Sequence, residues 1–241
     1  MKSFIILLVM FGLVAIVYAE DKKLKNETEL SFIKTGGNTE TTNFSAKNNL
    51  EYQFTDQVEG SWKIGANYGE NEGEKDSENY FTELKLSYNL TERLYTSVFV
   101  SWMQDKFTAI DSRYTIGPLA GYKILLGPKH KLSSEAGISY VNEEYTDEID
   151  GSDTDYLAGR ASAEYEYLFT DKARFSQEIE LIYDFEESDN YNVNSETAII
   201  SSLNDFLSLK TSYELKYDNK PASSELDDTD IILSATLLIN F

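Results

Sequence analysis

From residue 27 to the end of the chain, apolar side chains recur at every second position in run after run. In the first run Thr28, Leu30 and Phe32 alternate with Glu27, Glu29 and Ser31. In the last, Ile231, Leu233, Ala235, Leu237, Ile239 and Phe241 alternate with Ile232, Ser234, Thr236, Leu238 and Asn240. Successive side chains of a strand point to opposite faces, so each run predicts a strand with one apolar face. The apolar sets between these two are Phe44 to Phe54, Val58 to Tyr68, Tyr80 to Leu90, Leu94 to Trp102, Tyr114 to Tyr122, Leu132 to Tyr140, Leu157 to Phe169, Phe175 to Phe185 and Leu207 to Tyr217. A further run, about Val193 to Leu203, leaves its facing open because Ala198, Ile199 and Ile200 are consecutive. Twelve strands result.

Their connections alternate in kind. Short turns at Thr55-Asp56, Thr91-Glu92, Gly127-Pro128, Thr170-Asp171 and Asn204-Asp205 recur at intervals of roughly 35 to 43 residues, the repeat of an up-and-down strand pair. Between them lie longer polar stretches, among them Gly69 to Ser77, the segment around Asp105 to Asp111, Asn142 to Thr154 and Asp218 to Asp228, while Gly36-Gly37-Asn38 reads as a tight reversal. On the apolar faces, aromatic rings gather near the short turns (Tyr52, Tyr88, Tyr122, Phe169) and again near the long loops (Tyr68, Trp102, Tyr140, Tyr156, Tyr183, Tyr217), with aliphatic side chains between. Two rings of aromatics bracketing an aliphatic band are what two membrane interfaces select. The pattern predicts an all-β fold, a single antiparallel transmembrane β-barrel of about twelve strands, short turns on the periplasmic side. The final strand has the ~9 to 11 residues of a tilted membrane crossing and is expected to close the barrel.

Composition sharpens this in three places. Met1 to Ala19 joins Lys2 to an apolar run and a Val17-Tyr18-Ala19 end, the form of a secretory signal peptide, leaving residues 20–241 as the barrel domain. The chain has no cysteine, which excludes a disulfide framework and a lipid-modified cysteine anchor. Its 42 acidic against 21 basic side chains exclude nucleic acid as a partner and suit cations. Catalysis finds no purchase, because the single histidine, His130, sits in a lysine-flanked turn with no nucleophile pattern; we expect no enzyme and no cofactor. The acidic stretch Asp147 to Asp155 carries calcium-type ligands, but Thr146 and Leu157 break the helix-loop-helix calcium spacing, so no specific metal site is assigned.

Functional inference therefore rests on the polar faces. Pairing Phe169 with Phe175 across the short turn would set Glu166 opposite Glu178 and Glu164 opposite Glu180. Like charges directly opposed destabilise a strand pair by up to about 1 kcal/mol unless compensated. Arg160 and Arg174 on the same strands, Lys210 and Lys216 further along, or bound cations are the candidate compensators. These eight residues are the expected lining of a hydrated, cation-attracting interior, or of an ion-pair network that fills it.

Gly36-Gly37-Asn38-Thr39-Glu40, the segment Tyr122 to Tyr140 with Glu135, Ala136 and Gly137, and Thr229-Asp230 leading to Leu237 and Phe241 resemble the salt-induced outer-membrane proteins (YdiY-like), a family of unknown function. The resemblance implies a barrel in the outer membrane of a Gram-negative bacterium. Its partners would be outer-membrane lipid, the barrel-assembly machinery engaging the C-terminal strand, and small cations or solutes. A passive, weakly cation-favouring pore tied to salt or osmotic conditions is the function expected. A closed structural or adhesive barrel with ligand-binding acidic loops is the alternative.

Overall fold

The structure, a computed structural model, describes residues 23–34, 40–106, 108–146, 154–223 and 226–240. The expected leader Met1 to Ala19, the reversal at Gly36-Gly37-Asn38, the acidic residues 147–153 and the terminal Phe241 lie outside the described residues. Twelve strands follow in order: β1 (Leu24–Lys34), β2 (Thr41–Gln53), β3 (Val58–Asn71), β4 (Glu74–Asn89), β5 (Leu94–Asp105), β6 (Ile110–Leu126), β7 (His130–Tyr145), β8 (Thr154–Thr170), β9 (Ala173–Asp184), β10 (Tyr191–Ser202), β11 (Leu207–Asp218) and β12 (Thr229–Asn240). Each pairs antiparallel with its sequence neighbours, and β12 returns to β1 to close the barrel.

Alternation sorts the side chains as its period requires. Leu84, Leu86, Val98, Val100, Ile116, Ile138 and Leu157 are exposed on the outside, while Phe99, Leu119, Val141 and Ala158 are buried inside. A soluble domain buries its aliphatic side chains; here a band of them is exposed all round the wall, which is the outer surface of a transmembrane barrel. Polar side chains caught on that surface bond to one another. Asn48 Nδ2 donates to Asn26 Oδ1 (2.7 Å) and Thr28 Oγ1 (2.9 Å), and Trp62 Nε1 donates to Thr82 Oγ1 (2.8 Å).

Four of the five short turns share one device. The Thr or Asn side-chain oxygen that opens the turn accepts backbone N–H groups ahead of it: Thr55 from Gln57 and Val58, Thr91 from Arg93 and Leu94, Thr170 from Lys172, Asn204 from Phe206 and Leu207. Such side chains imitate a backbone turn, so each reversal is fixed locally.

Several expectations need correction. The segment Gly69 to Ser77 is not a long loop: β3 and β4 continue through it and meet at Glu72-Gly73, both with positive φ (53° and 84°), as a two-residue hairpin demands. The outer connections are therefore not uniformly long. Tyr156 does not join the outer aromatic ring; it is buried inside, because it lies opposite inward Val141. His130 begins β7 and stacks on Tyr167 with centroids 4.6 Å apart. The open facing of β10 resolves as Ile199 outward at 54 % exposure, with Ala198 and Ile200 buried inside.

Leu84→Arg places a charge on the outward band and is expected to cost ~2–4 kcal/mol in folding into bilayers. Glu92→Arg, in the short turn between β4 and β5, is expected to cost ~0–1 kcal/mol. Urea titration of both variants in vesicles measures the difference.

Candidate functional site

The barrel interior is built by one parity of each strand, and those positions are rich in charge. The β8–β9 register, interrupted by a bulge between Leu168 and Thr170, differs by two from the expected pairing. Glu164 faces Glu178, while Glu166 faces Ser176 and Glu180 faces Ser162, so neither of the two predicted glutamate pairs forms. The register instead carries the like charges further: Glu178 also faces Glu196 on β10, and Glu196 faces Glu214 on β11. Glu164, Glu178, Glu196 and Glu214 thus form one row across four consecutive strands.

Cations answer the row from both sides. Lys210 Nζ, whose side chain is only 8 % exposed, lies 2.7 Å from Glu196 and 2.8 Å from Glu29. Lys47 reaches from β2 to Glu214 at 3.3 Å and Glu196 at 4.0 Å, and Lys216 stands 3.6 Å from Glu214. Lys63 on β3 stands in the field of Glu178, Glu164, Glu83 and Glu180, yet among the described residues it has no carboxylate within ion-pair distance. Glu164 and Glu178 likewise enter no ion pair among the described residues.

Other pairs cross the interior as chords. Arg160 on β8 holds Glu180 on β9 at 2.5 Å and Glu83 on β4 at 3.0 Å, with its guanidinium 4.0 Å above the Phe99 ring. Arg174 on β9 reaches Glu27 on β1 at 3.3 Å and Glu166 at 3.5 Å. Lys85 on β4 meets Glu135 on β7 at 2.5 Å. Nearer the outer mouth, Arg113 Nε lies 2.6 Å from Glu143, whose carboxylate also accepts from Tyr156 (2.8 Å) and Tyr145 (2.7 Å). These contacts bring charged groups of distant strands together across the bore.

One wall is packed with rings. Tyr95 and Phe81 turn inward against glycines: a Cβ on Gly121 would lie 2.1 Å from the Tyr95 ring, and one on Gly65 would lie 2.3 Å from the Phe81 ring. Above the ionic layers a cavity of about 350 Å³ opens at the outer mouth, lined by Asn67, Asn79, Asn192 and Asn194, by Lys47, Arg113 and Lys216, and by Asp218, Asp227 and Asp228. Among the described residues no group of three or more His, Asp or Glu is placed to hold a metal ion.

All eight charged residues singled out from sequence have inward positions, and six of them meet in ion pairs: Arg160 with Glu180, Arg174 with Glu166, and Lys210 and Lys216 with carboxylates of other strands or their own. Glu164 and Glu178 remain as the opposed pair. Ile231, Leu233 and Leu237 of the terminal strand are exposed outward, as is Ala235, with Ile239 half-buried beside β1. Sequence reasoning missed Lys47, Lys63, Glu83, Glu196 and Glu214. Lys47, Lys63, Glu83 and Glu214 occupy inward-parity positions of strands whose facing the alternation fixes, so the signal was there; Glu196 lies on β10, whose facing the sequence left open.

The sequence model of a family described as "Protein of unknown function, DUF481" matches residues 28–241. The chain belongs to this DUF481 family. A relative of the same kind is the "Uncharacterized protein YdiY" of Escherichia coli (strain K12), 26 % identical over 209 residues, spanning 87 % of this chain and 80 % of that one. The DUF481 barrel also resembles solved structures in fold. The COG4313 outer membrane channel from Pseudomonas putida F1 superposes with a TM-score of 0.55 at 12 % identity, covering 90 % of this chain and 95 % of that one. The translocator domain of the autotransporter NalP from Neisseria meningitidis gives 0.53 at 11 % identity, covering 100 % and 97 %. These are antiparallel barrels of the outer-membrane type, and at such identities they speak for the fold.

Arg160→Met keeps a packing surface on Phe99 but leaves Glu83 and Glu180 facing each other without their cation. The variant is expected to lose about 1–3 kcal/mol of stability. Adding Glu83→Gln is expected to recover part of that loss, and a double-mutant cycle in denaturant measures the coupling.

Proposed function

We propose that this protein spans the outer membrane of a Gram-negative bacterium as a narrow pore that favours small cations, serving the envelope under changing salt or osmotic conditions. The observation that carries the reading is the row Glu164, Glu178, Glu196 and Glu214 on four consecutive strands, two of whose members have no ion-pair partner among the described residues. Fixed carboxylates along a hydrated bore concentrate cations and repel anions. The chords from Arg160, Arg174 and Lys47 narrow the path, so the solutes are small. A connection to salt follows from the same groups, because hydrated ion pairs weaken as ionic strength rises. The outward band is assigned to lipid, and the terminal strand, Ile231 to Ile239, to recognition by the barrel-assembly machinery. No step of this reading calls for catalysis.

A second reading, a closed structural barrel, is favoured by one observation: the Arg160 bridge from β9 to β4 crosses the bore.

Single-channel recording of the purified protein separates them, since a closed barrel gives no steps. For the pore, the reversal potential under a salt gradient is expected to show cation preference. That preference should be greatest near 0.01 M, where the Debye length is ~30 Å, and nearly absent at 1 M, where it is ~3 Å. Glu164→Gln with Glu178→Gln is expected to bring the cation-to-anion permeability ratio close to one in dilute salt; an unchanged ratio rejects the glutamate row as the selective element.

A further inference from the structure

The wall is uneven at one place. Among the described residues β1 and β12 share only four ladder pairs, from Glu27–Asn240 to Leu30–Leu237, whereas each shares eleven with its other neighbour. Beyond Leu30 and Leu237 a single bond joins the two strands among the described residues, from Ser31 Oγ to the Ala235 carbonyl at 3.3 Å. The side chains there are exposed on both faces of the sheet: Phe32 (66 %) and Leu233 (72 %) outside, Ile33 (41 %) and Ile232 (38 %) inside. Leu233 and Phe32 are the two most exposed large apolar side chains among the described residues.

Height follows from register. Phe32 lies opposite Phe44, and Phe44 opposite Tyr68 of the outer aromatic ring, so the unladdered stretch occupies the outer-leaflet half of the wall. Backbone groups left without a strand partner at that depth need a polar neighbour, since hydrocarbon offers none. The inner face changes character at the same spot. Ile33 and Ile232, flanked by Ser31 and Ser234, are inward apolar side chains whose partners across the adjoining ladders are polar, Asn43 on β2 and Glu214 on β11. An apolar stretch therefore lies on both faces of the wall along the two strand edges, with exposed Lys34 following it on β1. It ends beside the outer cavity, which Lys47 borders from the β2 side and Lys216 and Asp230 from the β11 and β12 side. That cavity counts seven carboxylates against three cations in its lining.

We infer that the β1–β12 seam is a side passage for a single-chain amphiphile with an ammonium-bearing head, its acyl chain lying between Phe32/Ile33 and Ile232/Leu233 and its head in the acidic outer cavity. Apolar side chains on both faces of the seam match the chain. The acid excess matches the head, and the head's polar atoms and their water reach the unladdered backbone. The inference rests on the transmembrane reading of the barrel and goes beyond the pore, since its ligand enters sideways from the membrane.

The test uses the full-length mature chain in bilayers containing a lysophosphatidylethanolamine with a diazirine at its chain end, photolysed and mapped by peptide. Label is expected at inward Ile33 and Ile232 as well as at outward Phe32 and Leu233. Ile33 and Ser234 would face each other if the ladder continued, and the protein has no cysteine of its own. The Ile33→Cys, Ser234→Cys variant, once oxidised, is expected to lose label at Ile232 by about tenfold and to regain it on reduction. Ile232→Trp fills the inner end without a crosslink and is expected to lose label at Ile33 to a similar degree. Label confined to outward residues, or unchanged both by the crosslink and by Ile232→Trp, overturns the passage. So does strand-to-strand crosslinking of two copies through β12, which would make a second chain the occupant. Equal labelling by the phosphatidylglycerol analogue overturns the ammonium head. Leu84 and Val98, far round the wall, report embedding alone: their failure to label rejects the membrane reading and the passage with it, whereas label there with none at Ile33 or Ile232 rejects only the passage.

Discussion

A strand in hydrocarbon has no water to meet its N–H and C=O groups, so every one of them must find a neighbouring strand. That requirement accounts for closure, and closure accounts for the rest. Twelve strands joined edge to edge leave one parity of side chains outside, where they must be apolar, and confine the other parity to a bore where charge is tolerated. Tyr156 shows how strictly parity rules: an aromatic near the outer mouth, it is drawn inside because its position on β8 faces inward, and there it bonds to Glu143. Turn chemistry then needs only to reverse the chain, which Thr55, Thr91, Thr170 and Asn204 do with their own side-chain oxygens.

Inside, a different balance operates. Glutamates directly opposed on adjacent strands repel, and here four stand in a line. Two of them are compensated at close range, Glu196 by Lys210 and Glu214 by Lys47. The other two stand in the field of Lys63 without an ion-pair contact to it. The same row therefore has a half held in close ion pairs, toward β10 and β11, and a half without such pairs among the described residues, toward β8 and β9.

Period two made most of the architecture legible. Strand number, outward faces and the positions of the short turns follow from residues such as Leu84, Leu86, Val98 and Val100, whose alternation has no other outlet. What the sequence did not reveal has a physical reason in each case. The β8–β9 pairing is interrupted by a bulge at Leu168, which leaves no trace in the alternation, and a difference of two in register preserves the faces while changing every partner. The hairpin at Glu72-Gly73 was hidden by polar residues, because strands that rise past the membrane lose their apolar face and read as loop. Facing at Ala198, Ile199 and Ile200 was ambiguous since two of the three apolar side chains fill the bore. Contacts between distant strands, such as Arg160 with Glu83, depend on how the cylinder is wound and no linear pattern encodes them.

The seam between first and last strands is where the closing rule is least fully met. Every other junction joins strands consecutive in the chain; β1 and β12 come from its opposite ends and have no turn between them. Their agreement extends over Glu27 to Leu30 and then stops, although both strands continue. Across their other ladders Ile33 faces the carboxamide of Asn43 and Ile232 the carboxylate of Glu214, polar groups of the kind that sealing alone would place at the seam too. Apolar residues on both sides of an incompletely laddered junction instead lower the cost of bringing hydrocarbon into it. The least laddered junction of the cylinder thus also carries exposed apolar side chains on both of its faces.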